Sequence, residues 1–81
     1  MNSNEARLVL QATYRLLDNA NGLTPADTVC AALGKPPGDP HTTGVLASLY
    51  EDGYIGGWTT DQNSAPMLIK GTKTGRREVG G

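Results

Sequence analysis

The chain has one cysteine, one histidine, no long apolar run and few charges in its first four fifths, and each scarcity excludes something. Cys30 has no second cysteine to pair with, and it falls on the apolar face of its own predicted helix, so it reads as a small buried hydrophobe rather than a nucleophile. A single histidine, His41, without clustered cysteine or carboxylate ligands does not make the usual zinc site. No apolar stretch approaches the roughly 20 residues of a membrane span, and the N-terminus lacks the basic-then-apolar order of a secretory signal. A cytoplasmic location without membrane association is therefore expected. No nucleophile stands beside a base, no carboxylate pair is forced together by spacing, and no glycine-rich phosphate loop is present. The expectation is a non-enzyme without a cofactor.

What is there is one small domain over residues 1–81, with 37% apolar residues and a size that buries only about 60–65% of its unfolded surface. Residues 1–66 hold three cations against seven carboxylates, a net −4, whereas residues 67–81 hold Lys70, Lys73, Arg76 and Arg77 against Glu78, a net +3. The formal total of −1 conceals this basic end, which is the only place for a local anion site.

The organising stretch runs from Asp39 to Ile55. Asp39 before Pro40 is a helix start, because the pre-proline residue is held extended, as an N-cap must be, and proline at the first helical position loses no required N–H. On a helical wheel Thr42, Val45, Leu46, Leu49 and Tyr50 share the core face, while His41, Thr43, Gly44, Ala47, Ser48 and Glu51 face outward. Gly53 stops this helix, and Tyr54-Ile55 leaves as a strand.

Upstream, Asn2, Ser3 or Asn4 caps a first helix, with Asn2 and Glu5 at capping-box spacing. Ala6, Val9, Leu10, Thr13, Tyr14 and Leu17 form its core arc, and residues 18–22 break it. Leu8, Ala12 and Leu16 form a second stripe at i, i+4, i+8, either an exposed leucine with two neighbours or a helix-to-helix contact with a partner. Leu23 is expected to give a very short strand. Thr24-Pro25-Ala26-Asp27 then predicts a capping box for a second helix, with Thr24→Ala costing about 1 kcal/mol. Ala26, Val29, Cys30 and Leu33 line its apolar face, Gly34 ends it, and Lys35-Pro36-Pro37-Gly38 must run extended.

Downstream, residues 54–60 alternate as a strand, the glycine pair Gly56-Gly57 signalling a bulge or close backbone packing. Asp61-Gln62-Asn63-Ser64 is turn-forming, and residues 67–70 return antiparallel. From about Lys73 a closing helix begins and is cut short by the end of the chain. The predicted core unites Leu10, Tyr14, Leu17, Val29, Leu33, Val45, Leu46, Leu49, Ile55 and Ile69.

Three helices followed by a two-stranded antiparallel hairpin, with Leu49, Glu51, Asp52, Gly53, Tyr54 and Ile55 at the helix-to-strand junction, resembles the α+β winged helix-turn-helix superfamily. The threonine, two residues and glycine followed by arginines at Thr72, Gly75, Arg76 and Arg77 match the end of that family's return strand. The resemblance covers most of the chain, and it implies a DNA-binding module of a bacterial or phage-type transcriptional regulator, with helix 39–52 as recognition helix on double-stranded DNA. The residues placed on DNA are then His41, Thr42, Thr43 and Ser48 from the helix, with Lys70, Lys73, Arg76 and Arg77 on phosphates. The chain departs from the pattern in two ways. This helix has no arginine, lysine, asparagine or glutamine for base edges, and the hairpin tip at residues 61–64 carries a negative charge. The competing expectation is a protein-interaction or dimerisation module using Leu8, Ala12 and Leu16.

Overall fold

A computed structural model describes residues 4–59 and 65–80. Over these described residues the fold is α+β, with four helices and a three-stranded antiparallel sheet. Helix α1 (Asn4–Asn19) is followed by β1 (Leu23–Pro25), α2 (Ala26–Ala32), α3 (Pro40–Glu51), β2 (Ile55–Trp58), β3 (Leu68–Gly71) and α4 (Lys73–Gly80). The sheet order is β1-β3-β2, with Thr24 opposite Ile69 and Gly57 opposite Ile69 on the other side. The predicted hairpin is thus β2–β3, completed by β1 on the far edge of β3. The expected caps Asn2 and Ser3, the strand end at Thr60 and the turn 61–64 lie outside the described residues. Among the described residues no helix is long and apolar enough to cross a membrane.

Helix α3 starts and stops as its sequence dictates. The Asp39 carboxylate accepts from the Thr42 N–H at 2.9 Å and from the Thr42 hydroxyl at 2.8 Å. At the other end the Gly53 N–H donates to Tyr50 C=O and the Tyr54 N–H to Leu49 C=O, the paired bonds of a Schellman turn. That turn needs a left-handed residue, and Gly53 supplies it at φ 83°. Helix α2 ends in the same way, with Gly34 donating to Ala31 and Lys35 to Cys30.

The start of α2 corrects the expectation. Pro25 occupies the N-cap position with no side-chain cap bond, and Thr24 is buried in β1, so the Thr24–Asp27 capping box does not form. Pairing of Leu23 to Pro25 with β3 outcompetes a single cap hydrogen bond, because it joins three residues to the sheet and buries Thr24. The cost assigned to Thr24→Ala as a lost cap therefore does not apply.

Helix α1 lies across the other elements, and Val9, Leu10, Tyr14 and Leu17 meet Val29, Leu46, Leu49, Ile55, Ala65 and Ile69 in one core. Leu33 and Val45 are half-buried at its margin, and Tyr50 stands 36% exposed rather than inside. The buried stripe of α3 is narrower than the wheel implied and is made by Thr42, Leu46 and Leu49. Cys30 is buried, as a small hydrophobe should be. In the sheet, Gly57 has φ 148°, and a Cβ there would lie 2.1 Å from the Leu68 carbonyl oxygen, which accounts for glycine at this close backbone approach.

The hydrogen bonds at Asp39 hold its carboxyl below the usual 3.8, the Thr42 N–H contributing most, then the Thr42 hydroxyl, with Lys35 and His41 adding favourable charge. A lowered folded-state pKa means the cap stabilises fully above 3.8 and is lost as pH falls below it through the folded value. Asp39→Asn, which keeps an acceptor without a titrating group, should flatten the acid limb of Tm against pH between neutrality and about pH 2. An unchanged acid limb in that variant would show that the carboxylate form of the cap does not matter.

Candidate nucleic-acid interface

Helix α3, strand β3 and the start of α4 carry the residues expected to meet a ligand, and their local chemistry fixes which remain available. On α3, Thr42 is buried with its hydroxyl given to Asp39, so it is withdrawn from the candidate DNA contacts. His41 is exposed but pairs with the Glu5 carboxylate across to α1. Ser48 is exposed, and Thr43 is half-buried beside a cleft of about 300 Å³ that it shares with Pro25, Asp27 and Met67. Gly44 and Glu51 complete the outward face, which presents one carboxylate and no permanently cationic side chain.

The cations gather elsewhere. Lys70, Lys73 and Arg76 line one cleft of about 400 Å³ together with Gly22, Gly71 and Thr72. Among the described residues no carboxylate shares that lining. The corner is built by a small polar clasp. The Tyr14 hydroxyl donates to Tyr54 C=O at 2.8 Å and accepts from the Thr72 N–H at 2.9 Å. The Thr72 hydroxyl donates to Gly53 C=O at 2.7 Å and accepts from the Gly75 N–H at 3.0 Å, capping α4 while tying it to the end of α3. Gly75 is buried against this clasp.

The four predicted phosphate contacts are not equivalent. Arg76 bonds Asp18 at 2.6 Å and lies over the Tyr14 ring at 4.9 Å, so part of its charge is already committed. Lys70 stands over the Trp58 ring, its ammonium 5.6 Å from the centroid. Among the described residues Lys73 and Arg77 carry no ion pair, and both are exposed. Arg77 lies outside the cleft lining.

Thr43 and the cationic cleft also lie apart. Thr43 faces the hairpin end at Ala65–Met67, whereas the cationic cleft adjoins Thr72, which is bonded to Gly53 at the opposite end of α3. Eight helical residues, 44–51, lie between Thr43 and the turn at Asp52–Gly53, about 12 Å along the axis. Thr43 and the cleft of Lys70, Lys73 and Arg76 therefore belong to separate surfaces, and His41 turns to Glu5 of α1 rather than to the cleft that Thr43 lines.

On α1, Leu8 is 60% exposed, while Ala12 and Leu16 are half-buried and Leu16 packs against the core. The intrachain fold uses part of the expected partner stripe and leaves Leu8 outside. Sequence reasoning missed the exposed side of the sheet, where Trp58 is 55% exposed and Leu23 is also solvent-facing. The signal was the strand alternation itself, obscured in β2 by two glycines without side chains. No family model, curated protein or solved structure matches this chain.

Proposed function

We propose that the chain is a winged helix-turn-helix domain that binds nucleic acid chiefly through phosphates, in the manner of a module of a bacterial or phage-type transcriptional regulator. The order of helices and strands, the β1-β3-β2 sheet and the Leu49–Ile55 junction support the fold reading. The observation that carries the function is the convergence of Lys70, Lys73 and Arg76 on one cleft with no carboxylate in its described lining. Helix α3 brings no bidentate arginine to base edges, so any preference between sequences rests on His41, Thr43 and Ser48.

Binding to duplex DNA of random sequence tests this without knowledge of an operator. Three to four phosphate contacts give a salt slope of about −2.7 to −3.6, an affinity loss of about 40- to 150-fold between 50 and 200 mM salt. Lys73→Glu with Arg77→Glu should abolish binding to all sequences alike, and these two positions spare the clasp that Arg76 helps to cover. Ser48→Ala should instead alter preference between sequences. A folded domain with no salt-sensitive duplex binding at about 50 mM salt would remove the proposal.

A second reading is favoured by Leu8, whose exposure on α1 the core does not require. In that reading the domain self-associates or docks on a protein partner through α1. Leu8→Glu should then lower the association constant in sedimentation while leaving the Tm of the monomer nearly unchanged. A wild-type chain that stays monomeric at millimolar concentration and captures no partner through α1 argues for the phosphate reading alone.

A further inference from the structure

Strand alternation sends Thr24, Ile55 and Ile69 into the core and leaves Leu23, Pro25, Trp58, Leu68 and Lys70 on the opposite side of the sheet. The register aligns them in two rows, Leu23–Lys70–Gly56 and Pro25–Leu68–Trp58. Lys70 belongs both to this face and to the cationic cleft, with its ammonium over the indole and its side chain in the cleft lining. We propose that this sheet face and the adjoining cleft bind single-stranded nucleic acid, a base stacking on Trp58 and the chain's phosphates lying against Lys70, Lys73 and Arg76.

The inference rests on the phosphate reading above for its anionic contacts and adds the form of the strand. Charge complementarity selects a polyanion, since Lys70 and Lys73 carry no ion pair among the described residues and Arg76, bonded to Asp18, adds the rest of its charge to the same cleft. Two further donors point the same way. In the first turn of α4 the Gly75 N–H is taken by the Thr72 hydroxyl and the Arg76 N–H by Thr72 C=O, leaving the N–H groups of Lys73 and Thr74 for a ligand. The exposed indole then selects the strand form. A base inside a duplex is stacked on its neighbours, so an exposed aromatic side chain on a sheet face is satisfied by an unpaired base.

Trp58 is the only tryptophan, so its fluorescence reports on the proposed contact directly. The intact chain is titrated with an oligothymidylate of about ten nucleotides, with a duplex of equal length and with inorganic phosphate. The single strand should quench Trp58 emission, and its affinity should fall about twentyfold between 50 and 200 mM salt, as three contacts to a single strand require. Trp58→Leu should weaken binding of a labelled strand about tenfold with Tm unchanged, and Lys70→Gln with Lys73→Gln should weaken it at least as much. Duplex binding as tight as that of the single strand, without quenching, would overturn the inference and leave phosphate-mediated duplex binding intact. Quenching by inorganic phosphate equal to that by the oligonucleotide would overturn base stacking in favour of a simple anion pocket. Failure of every nucleic acid to bind the folded chain would overturn both readings.

Discussion

Leu49→Ala should cost about 2–5 kcal/mol, a large part of the stability of an 81-residue domain. Leu49 is 1% exposed and packs in the cluster that joins α1, α3 and the sheet. Its carbonyl also accepts the Tyr54 N–H that closes the turn from α3 into β2, so the cavity would open beside the junction that sets the strand's direction. Denaturant unfolding of this variant beside Tyr50→Ala, which removes a side chain from the helix exterior, separates core burial from general damage to α3. A loss below about half a kcal/mol for Leu49→Ala would show that the buried stripe of α3 is misplaced.

Gly75→Ala should be comparably damaging for a different reason. A Cβ at that position would lie 1.8 Å from the Tyr54 carbonyl oxygen and 2.1 Å from the Tyr14 hydroxyl. The first of these is backbone at the start of the sheet, so relief requires α4 to move and the Tyr14–Thr72 hydrogen bond to stretch or break. Overpacking of this kind costs about 1–3 kcal/mol, and the loss of buried hydrogen bonds adds to it. Gly44→Ala is the matched control, because a Cβ there meets nothing within 4 Å and alanine is the better helix former, so that change should stabilise by up to about 1 kcal/mol. Equal Tm values for the two variants would mean that Gly75 is not pressed against the clasp.

The sequence was most readable where the determinants were local. Asp39-Pro40 and Gly53 bound α3 because an N-cap and a left-handed stop act within a few residues, and both function as expected. Helical spacing likewise located Val9, Leu10, Tyr14 and Leu17 on one side of α1. It failed at the edges of its arcs, since a wheel fixes a face without fixing how wide the neighbours make it: Thr42 is buried as expected, but Val45 is only half-buried and Tyr50 falls outside. Thr24 shows the opposite limit. A good local capping pattern yielded to β3, a strand more than forty residues away that Thr24 joins directly.

The candidate site divides along the same line. That the cations cluster at the C-terminal end is legible from residue order alone. Their convergence on one cleft, the diversion of Arg76 to Asp18 and Tyr14, and the placement of Lys70 against Trp58 depend on contacts between distant segments. The separation of those cations from Thr43 follows from α3 being a rigid rod with different neighbours at its two ends.

The Tyr14 clasp also sets a timetable for the nascent chain. Tyr14 and Thr72 are 58 residues apart in sequence. A ribosome delivers the first helix well before the groups that complete its polar contacts. Until Thr72 and Gly75 have emerged, the phenol of Tyr14 lacks the Thr72 N–H, and β1 lacks β3 to pair with. Closure of the domain therefore waits for residues 68–75, because the contacts with the largest loop-closure cost are those that join α1 and β1 to β3 and α4.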